Sequence, residues 1–308
     1  MSTLETAPEP ALGAAEPTGL RPSQIKRAKS GKARKRPSIL LWFAIAWMSI
    51  VLLGALLSLI APGVFPHEYG KAFGDAKQKP FAAWPEFLGT DGLGRSHLTR
   101  LAFGARVSMI VALVSVVVGV VIGGLLGLVA AYFRGVTEMI IDLFSDALLA
   151  FPPLILLLAL SSVYEPSQTS ITAGLAVLTI PGFTRLTKAS AIAQSNREYV
   201  TVAKAMGAGP GRIIFKELLP NTFPAVMSYS VIVMAVLIVA EGSLSFLGLS
   251  IPPPMPSWGG MINAAKDDLS LYPSQVFVPC GVLFLTVFSL NVIGDRLRAK
   301  FDVRDTKL

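Results

Sequence analysis

The chain has 308 residues, of which 53% are hydrophobic and 15% charged, with a formal net charge of +8. A water-facing shell needs roughly a quarter of its residues charged, so this composition excludes an ordinary soluble domain and points to one covered by lipid. The basic excess lies beside apolar runs, where membrane topology rules place it, and so gives no ground for nucleic-acid binding; the single cysteine, Cys280, excludes an intramolecular disulfide.

Residues 1–37 are polar, with Pro, Ala and Gly first and then eight Lys or Arg between Arg21 and Arg36. They read as a basic, disordered cytoplasmic tail. The run Ile39 to Ala61 follows, long enough as a helix to span about 34 Å. It exceeds the roughly 7 to 15 residues of a signal-peptide core and lacks a small-residue cleavage site, so it predicts an uncleaved first span. Residues 38–106 thus comprise a first transmembrane helix and an external loop, and Leu98 to Arg106 at the loop's end is expected as a short interfacial helix.

Five more spans are predicted, over 107–132, 140–161, 168–184, 223–249 and 275–294. Thr, Ser, Gly and Pro181 dilute the fourth. Together they make an all-α polytopic protein with about six transmembrane helices, a membrane core at 107–294, an inner loop at 185–222 and a cytoplasmic tail at 295–308. Six spans put both termini on one side. With that side inside, the inner pieces carry 20 Lys or Arg and the outer pieces 7, so both termini are assigned to the cytoplasm.

Within the inner loop, Tyr199, Val202, Ala203 and Met206 follow the i, i+3, i+4, i+7 pattern of one helical stripe, while Arg197, Thr201 and Lys204 fall on another face. A helix this short is not stable alone, so the stripe must rest on something: the membrane, its own bundle or a groove on a cytosolic partner. Spacing does not choose among these. Gly207 to Gly211 breaks the pattern, and a second short helix is expected to end at Pro220. Ser250 to Ser257 holds four prolines and reads as a stiff extended piece outside the membrane core.

Gly119, Gly123 and Gly127 repeat every fourth residue in the second span, a spacing that lets helix backbones approach closely. Asp142 and Asp146 share a face near the start of the third span, and Glu241 lies toward the outer end of the fifth. Such acids take structural partners, line a watery cavity or serve an ion-coupled carrier. Enzymatic chemistry finds little support: His67 and His97 in the outer loop and Cys280 make no metal cluster, and the serines have no evident His and acid companions. Gly207-Ala-Gly-Pro-Gly211 is not a phosphate loop, because Pro210 removes an amide donor and no Gly-Lys-Ser or Gly-Lys-Thr follows.

The stretch Arg197-Glu-Tyr-Val-Thr-Val-Ala-Lys-Ala-Met-Gly-Ala208, continuing to Ile213-Ile-Phe-Lys-Glu-Leu-Leu-Pro-Asn221, resembles the coupling loop of binding-protein-dependent ABC importer permeases. In particular it is similar to the second permease subunit of the oligopeptide, dipeptide and nickel group. Leu88 to Arg95, Gly104 to Ser108, Glu241 to Leu249 and Pro252 to Gly259 match further characteristic segments in the family's order. The resemblance implies a type I importer bundle in the bacterial inner membrane that forms half of a translocation pathway. It also implies a second homologous permease, two ATPase subunits that hold ATP and Mg, and an extracytoplasmic solute-binding protein, with no cofactor on this chain. Coupling to the ATPases would fall to Glu198, Tyr199, Val202, Ala203, Met206, Gly207 and Ala208. The family's Glu-Ala-Ala-x-x-x-Gly pattern is incomplete, with Thr201-Val202-Ala203 before Gly207; Ser96, Glu217 and Val303 depart from it as well. On topology alone, a secondary transporter using intramembrane acids and a purely structural membrane subunit are the alternatives.

Overall fold

A computed structural model describes residues 39–82, 87–249 and 251–305; the tail expected over 1–37 and the last three residues lie outside the described residues. Its regular structure is helical, with an irregular connection over 61–82 and 87–96 that carries one isolated bridge between Thr90 and Ser96. Helix α1, Ile39–Ile60, buries Ala44, Met48 and Val51 on one side and leaves Trp42, Ile50 and Leu53 exposed on the other, as a helix between bundle and lipid requires.

Helix α2 is continuous from His97 to Phe133. Ser96 starts it, its Oγ accepting from the Thr99 amide at 3.2 Å. The separate interfacial helix expected over 98–106 is therefore the first turns of this long helix. Leu101, Phe103 and Ala105 are buried there, and nothing between Arg106 and Val107 breaks the backbone.

The third expected span, 140–161, is not one helix. It divides into α3, Gly135–Ala150, and α4, Pro153–Val163, with axes bent by 80°. Pro152 and Pro153 cause the break, since neither has an amide hydrogen and each ring crowds the preceding turn. Helix α5 begins at a capping box between Ser167 and Ser170 and runs Gln168–Ser195, past the expected limit at 184 and through Pro181.

Helix α6, Glu198–Ala205, is the expected loop helix. The next stop at Pro220 does not occur, because Pro210–Phe246 is one helix, α7. A π turn over Ile213–Leu218 immediately precedes Pro220 and accommodates a residue that cannot complete the regular ladder. Helix α8, Trp258–Ala265, was not foreseen, and α9, Ser274–Asp305, continues the last span through most of the expected tail.

Helical segments stand where the six spans were expected, as α1, α2, the bent α3–α4 pair, α5, α7 and α9. Among the described residues four helices are long and apolar enough to cross a membrane, and five if the bent pair counts as one span. Helix α5 has the length without the apolarity. It touches α2, α3, α4 and α7, so neighbouring helices cover surface that lipid would otherwise meet. The larger core joins α1, α2, α4, α5, α7, α8 and α9 around Val111, Leu175, Phe183, Ile238 and Trp258; a smaller one gathers Leu128, Ala131, Ala191, Val200, Ile213 and Leu218 at the loop end.

Candidate functional site

Of the α6 residues, Val200 faces the bundle. It is fully buried in the loop-end core, with Tyr199 and Ala208 half-buried beside it. Full burial of a valine contributes about 1.5–3 kcal/mol, enough to hold a helix too short to persist alone. Burial, and then the charge of Glu217, raises the Tyr199 phenol above its ordinary pKa, so it keeps its proton and donates to Gln194 Oε1 at 3.1 Å.

The expected stripe therefore divides between two surroundings. Tyr199 and Ala203 are partly covered, whereas Val202 is 55% exposed and Met206 81%, with Glu198 and Gly207 also exposed. The helix ends in a Schellman motif: the Gly207 amide donates to Lys204 O and the Ala208 amide to Ala203 O, both at 3.0 Å, with Gly207 at φ +80°. This turn returns the chain to the core at Ala208 and leaves Val202 and Met206 projecting from the helix.

Gly119, Gly123 and Gly127 all meet α5. A Cβ on Gly119 would collide with Thr179 Oγ1, one on Gly123 with Ile180 O, and one on Gly127 would lie 2.5 Å from Thr184 O. A four-residue spacing over-rotates a regular helical turn and under-rotates a wider one. The π turn at Gly119–Gly123 thus keeps the three glycines on one face.

The acids have separate settings. Lys188 of α5 reaches Glu138 and Asp142 of α3, each at 2.6 Å, and Arg185 reaches Asp146 at 2.5 Å. Glu241 is fully buried and accepts from Ser108 Oγ at 2.9 Å and Ser245 Oγ at 2.7 Å; Ser245 and Ser257 lie 2.9 Å apart. Beside them Trp258 is buried with Nε1 donating to Leu101 O at 3.1 Å, and Gly104 and Gly259 admit the close packing of α2, α7 and α8. Parts of α2, α7 and α8 converge at the end opposite α6. Above them Asp91 accepts from Arg95 Nε at 2.7 Å and lies 3.4 Å from Arg100 Nε, while Arg100 Nη1 donates to Tyr69 O at 3.0 Å.

We expect Glu241→Ala to destabilise the protein by about 1–3 kcal/mol, because two buried hydroxyls lose their acceptor, and Glu241→Gln to cost less, since one acceptor oxygen survives. Thermal unfolding of the purified protein distinguishes the two; equal stability of all three forms would contradict the assignment.

Residues 119–304 match the family model of the binding-protein-dependent transport system inner membrane component. The chain belongs to this family. It is similar to the glutathione transport system permease protein GsiD of Pectobacterium atrosepticum, 33% identical over 86% of this chain and 87% of that protein. It is also similar to the di/tripeptide transport system permease protein DppC of Pseudomonas aeruginosa, 32% identical over 100% and 99% of the two. Among solved structures, a chain of the MetNI methionine ABC transporter in inward-facing conformations matches with a TM-score of 0.54 and 19% identity, over 65% of this chain and 95% of that one. This likeness shows a shared permease fold.

Several residues of this family member's site escaped sequence reasoning. Arg185 and Lys188 lie inside α5 and pair with acids of α3, although the expected span stopped at 184. Val200 sits between the members of the exposed stripe and carries the helix's anchorage. The Pro152-Pro153 pair was a legible break signal inside an apolar run. Trp258, Ser108 and Ser257 lie in segments that resemble the family, but their contacts, which join distant parts of the chain, had no local signature. Among the described residues no three His, Cys, Asp or Glu side chains gather as a metal site.

Proposed function

We propose that this chain is one of two permease subunits enclosing the translocation pathway of an ATP-driven, binding-protein-dependent importer for peptides or a related small solute. The observation that carries this reading is the loop helix α6. It is seated on its own bundle by Val200, yet presents Val202 and Met206 to the outside. Exposed apolar side chains on a rigid, capped helix suit docking into a groove of a partner ATPase. Family membership supports assembly with a second permease and an external binding protein, and the GsiD and DppC relatives support a peptide-like solute.

In this reading ATP and Mg are held by the two ATPase subunits, and this chain supplies no catalytic group. Closure of the ATPases moves α6, and α6 moves α2, α5 and α7 through the loop-end core that it shares with them. The bundle then exchanges inward-open for outward-open states, driven by the difference in ATP affinity between them. The Lys and Arg asymmetry supports a cytoplasmic side for both termini and α6, and with it the outer side of the inner membrane for the Glu241 junction.

Reconstitution tests this assignment. Uptake into proteoliposomes is expected only with the second permease, both ATPases, ATP and the loaded binding protein. Uptake by this chain alone, driven by an ion gradient and abolished by Glu241→Gln, would instead establish the secondary-transporter alternative.

A further inference from the structure

We propose that the face formed by α3, the break at residues 151–153 and the adjoining part of α5 is a wall of the water-filled pathway, rather than a surface covered by lipid or by a dry helix contact. This inference rests on the import reading above and assigns a face to the pathway within it.

The first ground is an ion pair inside the spanning part of the bundle. Asp146 stands 11 residues along α3 from Gly135, and Arg185 stands 10 residues back along α5 from Ser195. At 1.5 Å per residue each is about 15 Å from the loop end of its helix; α5, 28 residues or about 42 Å long, outreaches a hydrocarbon core about 30 Å thick by about 6 Å at each end when centred on it, which leaves the pair about 9 Å inside the core. Their side chains are 61% and 56% exposed. An exposed ion pair at that depth cannot face lipid chains, which give no compensation for lost hydration. Glu138, Asp142 and Lys188 continue the charged strip toward the loop end, along a groove of about 460 Å³ lined by Gly135, Glu138, Met139, Asp142, Leu143 and Asp146.

The second ground is independent of charge. Between α3 and α4 the chain is extended at Phe151, and Phe151, Pro152 and Pro153 are all exposed. Two prolines supply no amide hydrogens to the carbonyls of Leu148 and Leu149, four residues earlier. Irregular backbone at membrane depth persists where it is buried in protein or lines water, and this segment is not buried within the chain. The exposed ion pair and the exposed break adjoin, because Ala150 lies one turn beyond Asp146 on the same side of α3.

The test uses the complete transporter in proteoliposomes with Cys280→Ser, so that introduced thiols are the only ones in this chain. Asp146→Cys and Ala150→Cys are compared with Ile50→Cys on the exposed apolar side of α1. A charged, membrane-impermeant methanethiosulfonate reagent is expected to label positions 146 and 150 at least tenfold faster than position 50, and labelling at 150 is expected to block ATP-dependent uptake. Should Asp146→Cys fail to assemble, Ala150→Cys, which keeps the ion pair, decides the matter. Labelling at 150 no faster than at 50, in a complex that still imports with ATP, overturns the pathway wall and leaves the import reading standing. Loss of ATPase dependence in the Cys280→Ser complex sinks the import reading itself.

Discussion

Gly123→Ala is expected to lower the amount of folded protein in the membrane severalfold and to reduce its thermal stability, whereas Gly124→Ala, one residue on, should leave both close to wild type. The added methyl at 123 would overlap Ile180 O and lie 2.9 Å from Phe183 Cβ, with Thr184 N at 3.1 Å. Backbone atoms of α5 cannot rotate aside as a side chain can, so α2 and α5 must separate. Overpacking of this kind costs about 1–3 kcal/mol, a large part of the stability of an ordinary domain. At Gly124 the nearest atom is Thr187 Oγ1 at 3.9 Å, ordinary contact, and alanine's better helix propensity offsets any small loss. The pair differs in direction around the helix and in little else, so it isolates close approach of backbones from the general cost of replacing glycine. Parallel behaviour of the two variants would show that α2 and α5 do not meet as described.

The second large effect concerns α6. Met206→Asp should abolish ATP-dependent uptake and reduce retention of the ATPase subunits at least tenfold, while the permease itself unfolds at its usual temperature. Met206 is 81% exposed and touches little in its own chain, so a charge there costs the fold almost nothing. Buried in a partner's apolar groove, the same carboxylate would lose its hydration without compensation. Val200→Asp should act in the opposite way, destabilising the permease before any question of coupling arises, because that side chain is sealed in the loop-end core. Copurification of the ATPases together with thermal unfolding separates the two outcomes. Full retention and uptake in Met206→Asp would remove α6 as the coupling element.

The residues at position 200 and around it show how far local pattern reaches. Spacing alone identified a helical pattern over 197–206, within a residue of the observed Glu198–Ala205 at each end, and its glycine stop, because periodicity and capping are properties of a few adjacent residues. It did not tell which side of that helix faces inward, since Val200, Val202 and Met206 are equally apolar and only packing distinguishes them. The same limit applied to Asp142 and Asp146, whose partners lie on another helix about forty residues later. Span ends were misjudged wherever a polar residue found cover: Arg185 and Lys188 extend α5 beyond its apolar part because acids of α3 neutralise them, and Ser96 begins α2 ten residues before the apolar run.

Apolar composition and its segmentation by Pro, Gly and charge determined by themselves that this is a helical membrane protein, and the order of its short motifs pointed to the permease family. Both follow from interactions of each segment with lipid, water and its own backbone. Tertiary structure alone decided that Gly104, Ser108, Glu241, Ser257 and Trp258 form one buried junction, that α3 and α4 meet at 80°, and that an exposed ion pair joins α3 to α5. These depend on the rotation and approach of helices far apart in the chain, which are settled when all the helices pack together.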